Sequence, residues 1–480
     1  MSLLGNARGG STLGIDIGSN LIKVVEAKPG KDGIQITALG TAPTPPGTLE
    51  NDTIIDPQRL GQAIRELLKD IRATTNKSVS SVSGQSSVIV RIIELPKMTK
   101  EELDKTMQWE VERHVPFSAN EVVMDFLQIE RPKPITTDEN MEVLLAVAQQ
   151  DVITNHVQTL FAAGLDPVAI EVEPVAISRA LLDTSNGDAN DSVVILNIGA
   201  TGTEIGIYQH GLLAFPRTVP LAGDAISRAI SDTLGISLEE AERVKIDKAV
   251  VLPERASYFS ASAMMGGMGG FQTEDSTAGF AVQPEDEVGI GGGMDLSFIP
   301  GLGYSVDESQ ASLQQDGGAV TMPDFDVDIS SGEPAAQALD FDLGLGDESI
   351  GQPRSFAPGL NTDSSSGFGT GSSEGLTEEQ IFDAMAPVIM DMISEVRRSL
   401  DYYAGKFNSM PDSILLCGGT ARMHGLAQLV QNELGIPVTL ANPLKNVTVS
   451  SLALSKGNLE EVATIFPVSL GLAVRDMIGE

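Results

Sequence analysis

The 480-residue sequence predicts a duplicated α/β fold whose two halves face one another across a cleft. Three observations carry this. Over residues 13–27 an apolar run containing Asp16 reaches Gly18-Ser19-Asn20, turns, and leaves through a second apolar run, which is a hairpin pattern. Over 193–207 the pattern returns, with Asn197 at the position of Asp16 and Gly199 at that of Gly18. Late in the chain a strand over 414–417 meets Gly418-Gly419-Thr420-Ala421 and then a helical pattern. A carboxylate inside a buried strand is costly unless it is hydrogen-bonded or faces a cation. Beside a glycine turn with free N–H groups, a phosphate with its metal ion satisfies it.

Residues 1–10 read as a flexible N-terminus and 11–86 as the first part of the first half. After the hairpin comes a strand over 33–39, broken by Pro43, Pro45, Pro46 and Gly47. Asp56-Pro57 opens a helix with Pro at its first position, and Leu60, Ile64, Leu67, Leu68 and Ile71 mark its apolar face. Residues 87–166 form a separate small unit: a strand over 87–95 stopped by Pro96, a helix begun by the capping box of Thr99 with Glu102, strands over 122–130 and 141–149, and a helix over 151–163. Its order is β-α-β-β-α, a common two-layer module. On its first helix Leu103, Met107, Val111 and His114 share a face, and Trp109 falls nearly opposite.

A connecting strand and helix over 167–190 complete the first half. Residues 191–255 hold the second hairpin, a helix from Gly223, and a helix capped by Ser237 that carries Glu242 and Lys245. The stretch 256–375 changes character: it is rich in Gly, Ser, Asp and Met and has 19 acidic residues against Arg354 alone. It has too little apolar surface to offset chain entropy and reads as a disordered acidic insertion. Order resumes over 376–466, with a long helical period from Ile381 to Leu400 that contains Pro387, then the strand and Gly-Gly turn. The segment 467–480 is a last helix, opened by Pro467 and running over 468–478.

The net charge of −35 leaves no general phosphate-neutralising surface, which argues against a nucleic-acid partner and against electrostatic docking on anionic lipid. Cys417 is the only cysteine, so no intrachain disulfide forms, and a reducing compartment fits. His114, His156, His210 and His424 lie far apart, without zinc-ligand spacing. No apolar run reaches the roughly 18 residues of a membrane span. The expectation is a cytoplasmic protein with no direct membrane insertion, tied to a membrane only through a partner.

With these motifs in this order, the chain resembles the actin, sugar-kinase and heat-shock-ATPase superfamily. The resemblance implies that the two hairpins clamp the phosphates of ATP from opposite sides. Gly18, Ser19, Asn20, Gly199, Ala200, Thr201 and Thr203 would supply backbone and side-chain partners, Lys23 would reach the phosphates, and Asp16 would orient Mg2+ through water. Gly223, Glu242, Lys245, Gly418, Gly419 and Thr420 would surround the adenosine. Where the superfamily usually has Asp, this chain has Asn197, which cannot take a proton. The expectation is therefore ATP binding with at most slow hydrolysis, with Glu171 or Glu173 as candidates to place the attacking water.

The β-α-β-β-α insertion is the pattern of the FtsA-like branch of that superfamily. The segment from Trp109 through Val115, Pro116 and Phe117, with Asp125-Phe126 and Glu171-Val172-Glu173-Pro174 downstream, resembles the PilM family of type IV pilus assembly. The resemblance covers 11–250 and 376–478. It implies a scaffold peripheral to the inner membrane that binds the N-terminal peptide of a PilN-type membrane protein. The groove would lie between the first subdomain and the inserted module, with Trp109, Val115, Pro116 and Phe117 as candidate contacts. Other inner-membrane pilus assembly proteins and a homo-oligomer are further implied partners. Two alternatives stand beside it. An FtsA-like division filament would need a basic amphipathic tail, which the sequence does not carry before Glu480. A small-molecule kinase would need a catalytic Asp in the substrate cleft, for which no clear candidate is found.

Overall fold

The computed structural model describes residues 10–31, 33–83, 87–118, 121–131, 140–182, 192–256, 375–450 and 462–477. The expected acidic insertion over 256–375 falls, but for its end residues, outside the described residues.

Two sheets share one plan. In the first, β1 (Thr12–Ile17), β2 (Leu21–Gly30) and β3 (Gly33–Pro43) form an antiparallel meander, and β6 (Lys77–Val82) pairs with β1 in parallel. β10 (Asp166–Val172) extends one edge and β16 (Thr448–Val449) the other. In the second, β11 (Ser192–Ile198), β12 (Thr203–Gln209) and β13 (Leu212–Val219) repeat the meander, and β14 (Ser413–Cys417) pairs with β11 in parallel, followed by β15 (Val438–Leu440). The duplication read from the hairpins therefore extends to whole sheets. A short hairpin of β4 (Leu49–Glu50) and β5 (Thr53–Ile54) follows the first meander, where the sequence reading placed no strand.

Helices cover the sheets as their apolar periods dictate. α1 (Pro57–Asp70) is capped by Asp56, which accepts from the Arg59 N–H, and its Leu60, Ile64 and Leu67 are buried. α4 (Glu173–Leu181) lies next to α9 (Pro467–Ala473), which also packs on β1 and β2. Beside the second sheet are α5 (Gly223–Leu234), α6 (Leu238–Asp247), the 30-residue α7 (Glu378–Phe407) and α8 (Leu426–Leu434). The face of α7 formed by Ile381, Met385, Ile389, Met392, Val396 and Leu400 joins the largest core cluster. The last helix is shorter than the expected 468–478. It ends at Ala473, where Arg475 and Asp476 turn aside into ion pairs with Glu171 and Lys77.

The inserted module contains β7 (Val88–Pro96), α2 (Lys100–His114), β8 (Val122–Ile129), β9 (Asn140–Gln149) and α3 (Gln150–Ala163), with its sheet in the order β7-β9-β8. The Thr99–Glu102 capping box starts α2, whose Leu103, Met107 and Val111 pack on one face of that sheet. Val90, Ile92 and Leu144, from the other face, join Tyr208 and Leu213 of the second sheet. Arg131, buried beside β9, pairs with Glu142 and donates to the carbonyl of Leu213 at 2.6 Å.

Candidate functional site

The two hairpin turns face one another across a cavity of about 1200 Å³. β1 ends at this cavity, and its register places Asp16 opposite Lys23 of β2. Lys23 Nζ donates to Asp16 Oδ2 at 2.9 Å, which compensates the charge of an acid that is almost fully buried. From the second half, α5 abuts the other turn: Gly223 N donates to Gly199 O at 3.2 Å and Asp224 N to Ala200 O at 2.8 Å. Thr420 Oγ1 donates to the same Gly199 carbonyl at 2.8 Å. Lys245 Nζ bonds to Glu242 Oε2 at 2.6 Å and to Gly223 O at 3.0 Å.

Of the expected site residues, the cavity brings together Asp16, Gly18, Ser19, Asn20, Lys23, Asn197, Gly199, Ala200, Thr201, Gly223, Glu242, Lys245, Gly418, Gly419, Thr420 and Glu173. Glu173 stands at the start of α4, beneath both hairpins, and Asn197 Nδ2 donates to its Oε2 at 3.4 Å. Burial, reinforced by the charge of Asp16, raises the Glu173 carboxyl to about 7, against hydrogen bonding from Ser83 and the charge of Lys23.

Three expectations are corrected. Glu171 does not reach the cavity. It lies on β10, two residues before Glu173, and is held by Arg179 at 2.9 Å and Arg475 at 2.6 Å. Thr203 is fully buried and donates to Leu221 O at 2.6 Å, so its hydroxyl serves the fold of β12 instead of the cavity. On the module, Trp109 is 74% exposed, but Val115 is buried and Phe117 packs against the module core, so these two do not form a free surface. Pro116 is exposed.

Four acids that line the cavity, Asp52, Glu204, Asp247 and Glu378, were not among the expected site residues. Glu204 sits directly opposite Asn197 in the β11–β12 pairing, so counting across the second hairpin locates it. Burial, and then the neighbouring Glu173, hold its carboxyl well above the usual range. Asp52 occupies the β4–β5 turn; the Asn51-Asp52 pair between two short extended segments was the available signal.

The arrangement fits a magnesium nucleotide. Gly223 and Gly418 let the turns close on one another: a Cβ at Gly223 would stand 2.8 Å from Thr420 Oγ1, and one at Gly418, whose φ is +91°, 2.3 Å from Ile198 O. Lys23 and the two hairpin turns supply donors for phosphates. The carboxylates of Asp16 and Asp52 would repel a bare polyphosphate and favour one that carries a divalent cation.

The profile of the family described as type IV pilus assembly protein PilM matches residues 14–257. The chain belongs to the PilM family. The profile described as cell division protein FtsA matches residues 194–457, so the two overlap on the second hairpin. Among curated proteins, the cell division protein FtsA of Bacillus subtilis is 25% identical over 253 residues, covering 48% of this chain and 56% of that protein. FtsA of Neisseria meningitidis is 24% identical over 256 residues, covering 49% and 61%. The chain thus spans less than two thirds of the length of these relatives. A solved PilM–PilN type IV pilus biogenesis complex matches with a TM-score of 0.64 at 23% identity, covering 98% of this chain and 99% of that one. The fold is the duplicated actin-like fold of PilM and FtsA. Among the described residues no helix is long and apolar enough to cross a membrane.

Proposed function

We propose that this PilM-family chain is an ATP-binding, actin-like scaffold of type IV pilus assembly that docks on a PilN-type membrane protein. The observation that carries it is the convergence of both hairpin turns and the Gly418-Gly419 turn on one cavity. Ser19, Thr201 and the turn amides would hold phosphates, Lys245 and Glu242 would face the nucleoside, and Asp16 would orient a magnesium ion through water. When bound, that ion would neutralise charge on the phosphates. With Asn197 in place of an acid, Glu173 is the residue placed to accept a proton. Burial and the charge of Asp16 raise its affinity for protons, and the amide of Asn197, which cannot take a proton, supports slow turnover. Nucleotide closure of the cleft would set the shape that the partner reads.

The partner reading draws on the solved PilM–PilN assembly and on the module, where Trp109 stands exposed on α2. Calorimetry with ATP and magnesium tests the first part: binding is expected, with hydrolysis far below one turnover per second. Many turnovers per second would contradict it. Pull-down from membranes with full-length protein, and with residues 87–149 removed, tests the second. Recovery of a single-span protein with a short cytoplasmic tail, lost on deletion, is expected. The FtsA match over 194–457 favours one competing reading, a division filament, and capture of a tubulin-like protein would select it.

A further inference from the structure

One acid that lines the cavity, Asp52, is hydrogen-bonded to both hairpin turns. Asp52 Oδ1 accepts from Ser19 Oγ at 2.9 Å and from Thr201 Oγ1 at 2.8 Å, and the two hydroxyls stand 3.2 Å apart. Ser19 lies on the turn of the first hairpin and Thr201 on that of the second, so a single carboxylate oxygen ties the tips of the two halves together. Asp52 is aimed there by its backbone. Asn51 and Asp52 adopt φ of +48° and +62° in the β4–β5 turn, a left-handed conformation that Asn and Asp tolerate better than other side chains. The hydroxyls that Asp52 occupies are the side-chain donors a terminal phosphate would need.

We infer that Asp52 is a specificity-determining residue that makes this cleft distinguish a nucleoside triphosphate from a diphosphate. This rests on the nucleotide-binding reading above. An oxygen of the γ-phosphate must take Ser19 Oγ and Thr201 Oγ1 from Asp52, and the displaced carboxylate then faces an anion of the same sign. A diphosphate, held deeper by the glycine turns and Lys23, leaves the Ser19–Asp52–Thr201 bridge closed. The bridge therefore exchanges one closure of the hairpin tips, through the carboxylate, for another, through the γ-phosphate. The exchange costs the triphosphate affinity in proportion to the two hydrogen bonds it breaks.

The test compares wild type with Asp52→Ala and Asp52→Asn, titrating magnesium-ATP, its non-hydrolysable analogue and magnesium-ADP by calorimetry. Asp52→Ala is expected to bind the triphosphates at least about tenfold tighter, because the two hydroxyls no longer have to be taken from a carboxylate, while ADP affinity stays within about twofold. Asp52→Asn keeps the acceptor without its charge and should fall between. Without nucleotide, Asp52→Ala should melt earlier than wild type, and adding Ser19→Ala should lower the melting temperature little further, because both changes break the same bridge. Triphosphate binding that weakens in Asp52→Ala only when magnesium is present would make Asp52 a metal ligand and overturn the inference. Equal changes for ATP and ADP would overturn it too. If wild type binds neither nucleotide, the nucleotide-binding reading falls as well, so the two failures are distinguishable.

Discussion

Asp16 is held in a buried strand by one cation, Lys23, and by its place at the cavity edge. If it orients a hydrated magnesium ion, Asp16→Ala should weaken magnesium-dependent ATP binding about 10–100-fold, the usual effect of losing a group that acts on a metal through its water. Binding measured with EDTA should change much less. Two other residues give pH signatures of opposite sign. The Glu173 carboxyl titrates near 4.5 when unfolded and about 7 when folded, so between these values the folded chain holds the extra proton and stability falls as pH rises. His156, buried in α3 with Nε2 2.8 Å from Ser80 Oγ, is lowered from 6.5 to about 4, so stability falls as pH drops through that window. Between pH 4.5 and 6.5 the two contributions oppose one another. Denaturation across this range should show Glu173→Gln gaining most over wild type at the alkaline end, and His156→Gln gaining most at the acid end. Matching profiles for the two variants would contradict these assignments.

Elements meet closely where α9 crosses the first sheet. Gly14 in β1 is bare because the backbone of α9 lies against it: a Cβ there would be 1.8 Å from Ser469 O and 2.5 Å from Ala473 N. Neither atom can move without shifting the helix. Gly14→Ala should therefore cost about 3 kcal/mol or more, although it removes no contact. Gly47→Ala provides the contrast, since nothing crowds its Cβ, and the cost there comes from the positive φ of +75° alone. Urea midpoints for the two variants separate packing from backbone strain. A Gly14→Ala midpoint equal to wild type would rule out the tight crossing.

Across the whole molecule, the inserted module is fastened to the second half as well as to the first. Arg131 pairs with Glu142 inside the module and donates to the carbonyl of Leu213 on β13, and Lys406 of α7 pairs with Glu94 of β7 at 2.9 Å. If nucleotide changes the angle between the halves, these contacts would carry the change to the module. Arg131→Ala leaves the Glu142 carboxylate buried without its cation and should destabilise the protein by about 3–5 kcal/mol. The pair Arg131→Met with Glu142→Leu should recover most of that loss. With the double variant, nucleotide should still bind while its effect on partner affinity is reduced. Unchanged coupling between nucleotide and partner would show that Arg131 does not transmit it.

The sequence by itself determined the duplicated fold, the order of the inserted module and the turns that converge on the cavity. Asp16 with Gly18, Asn197 with Gly199, and Gly418-Gly419 are local patterns, and hairpins, capping boxes and helical periods are set by near neighbours in the chain. Only the tertiary structure decided what depended on contacts between distant segments. Glu171 and Glu173 are two residues apart and alike in sequence, yet one is captured by Arg179 and Arg475 while the other opens into the cavity. Val115 and Phe117 follow Trp109 closely, yet they close the module core while Trp109 stays outside. The bridge from Asp52 to Thr201 joins residues 149 positions apart. A strand's direction and a helix's end fix where such side chains point, and the packing of one half against the other fixes what they meet.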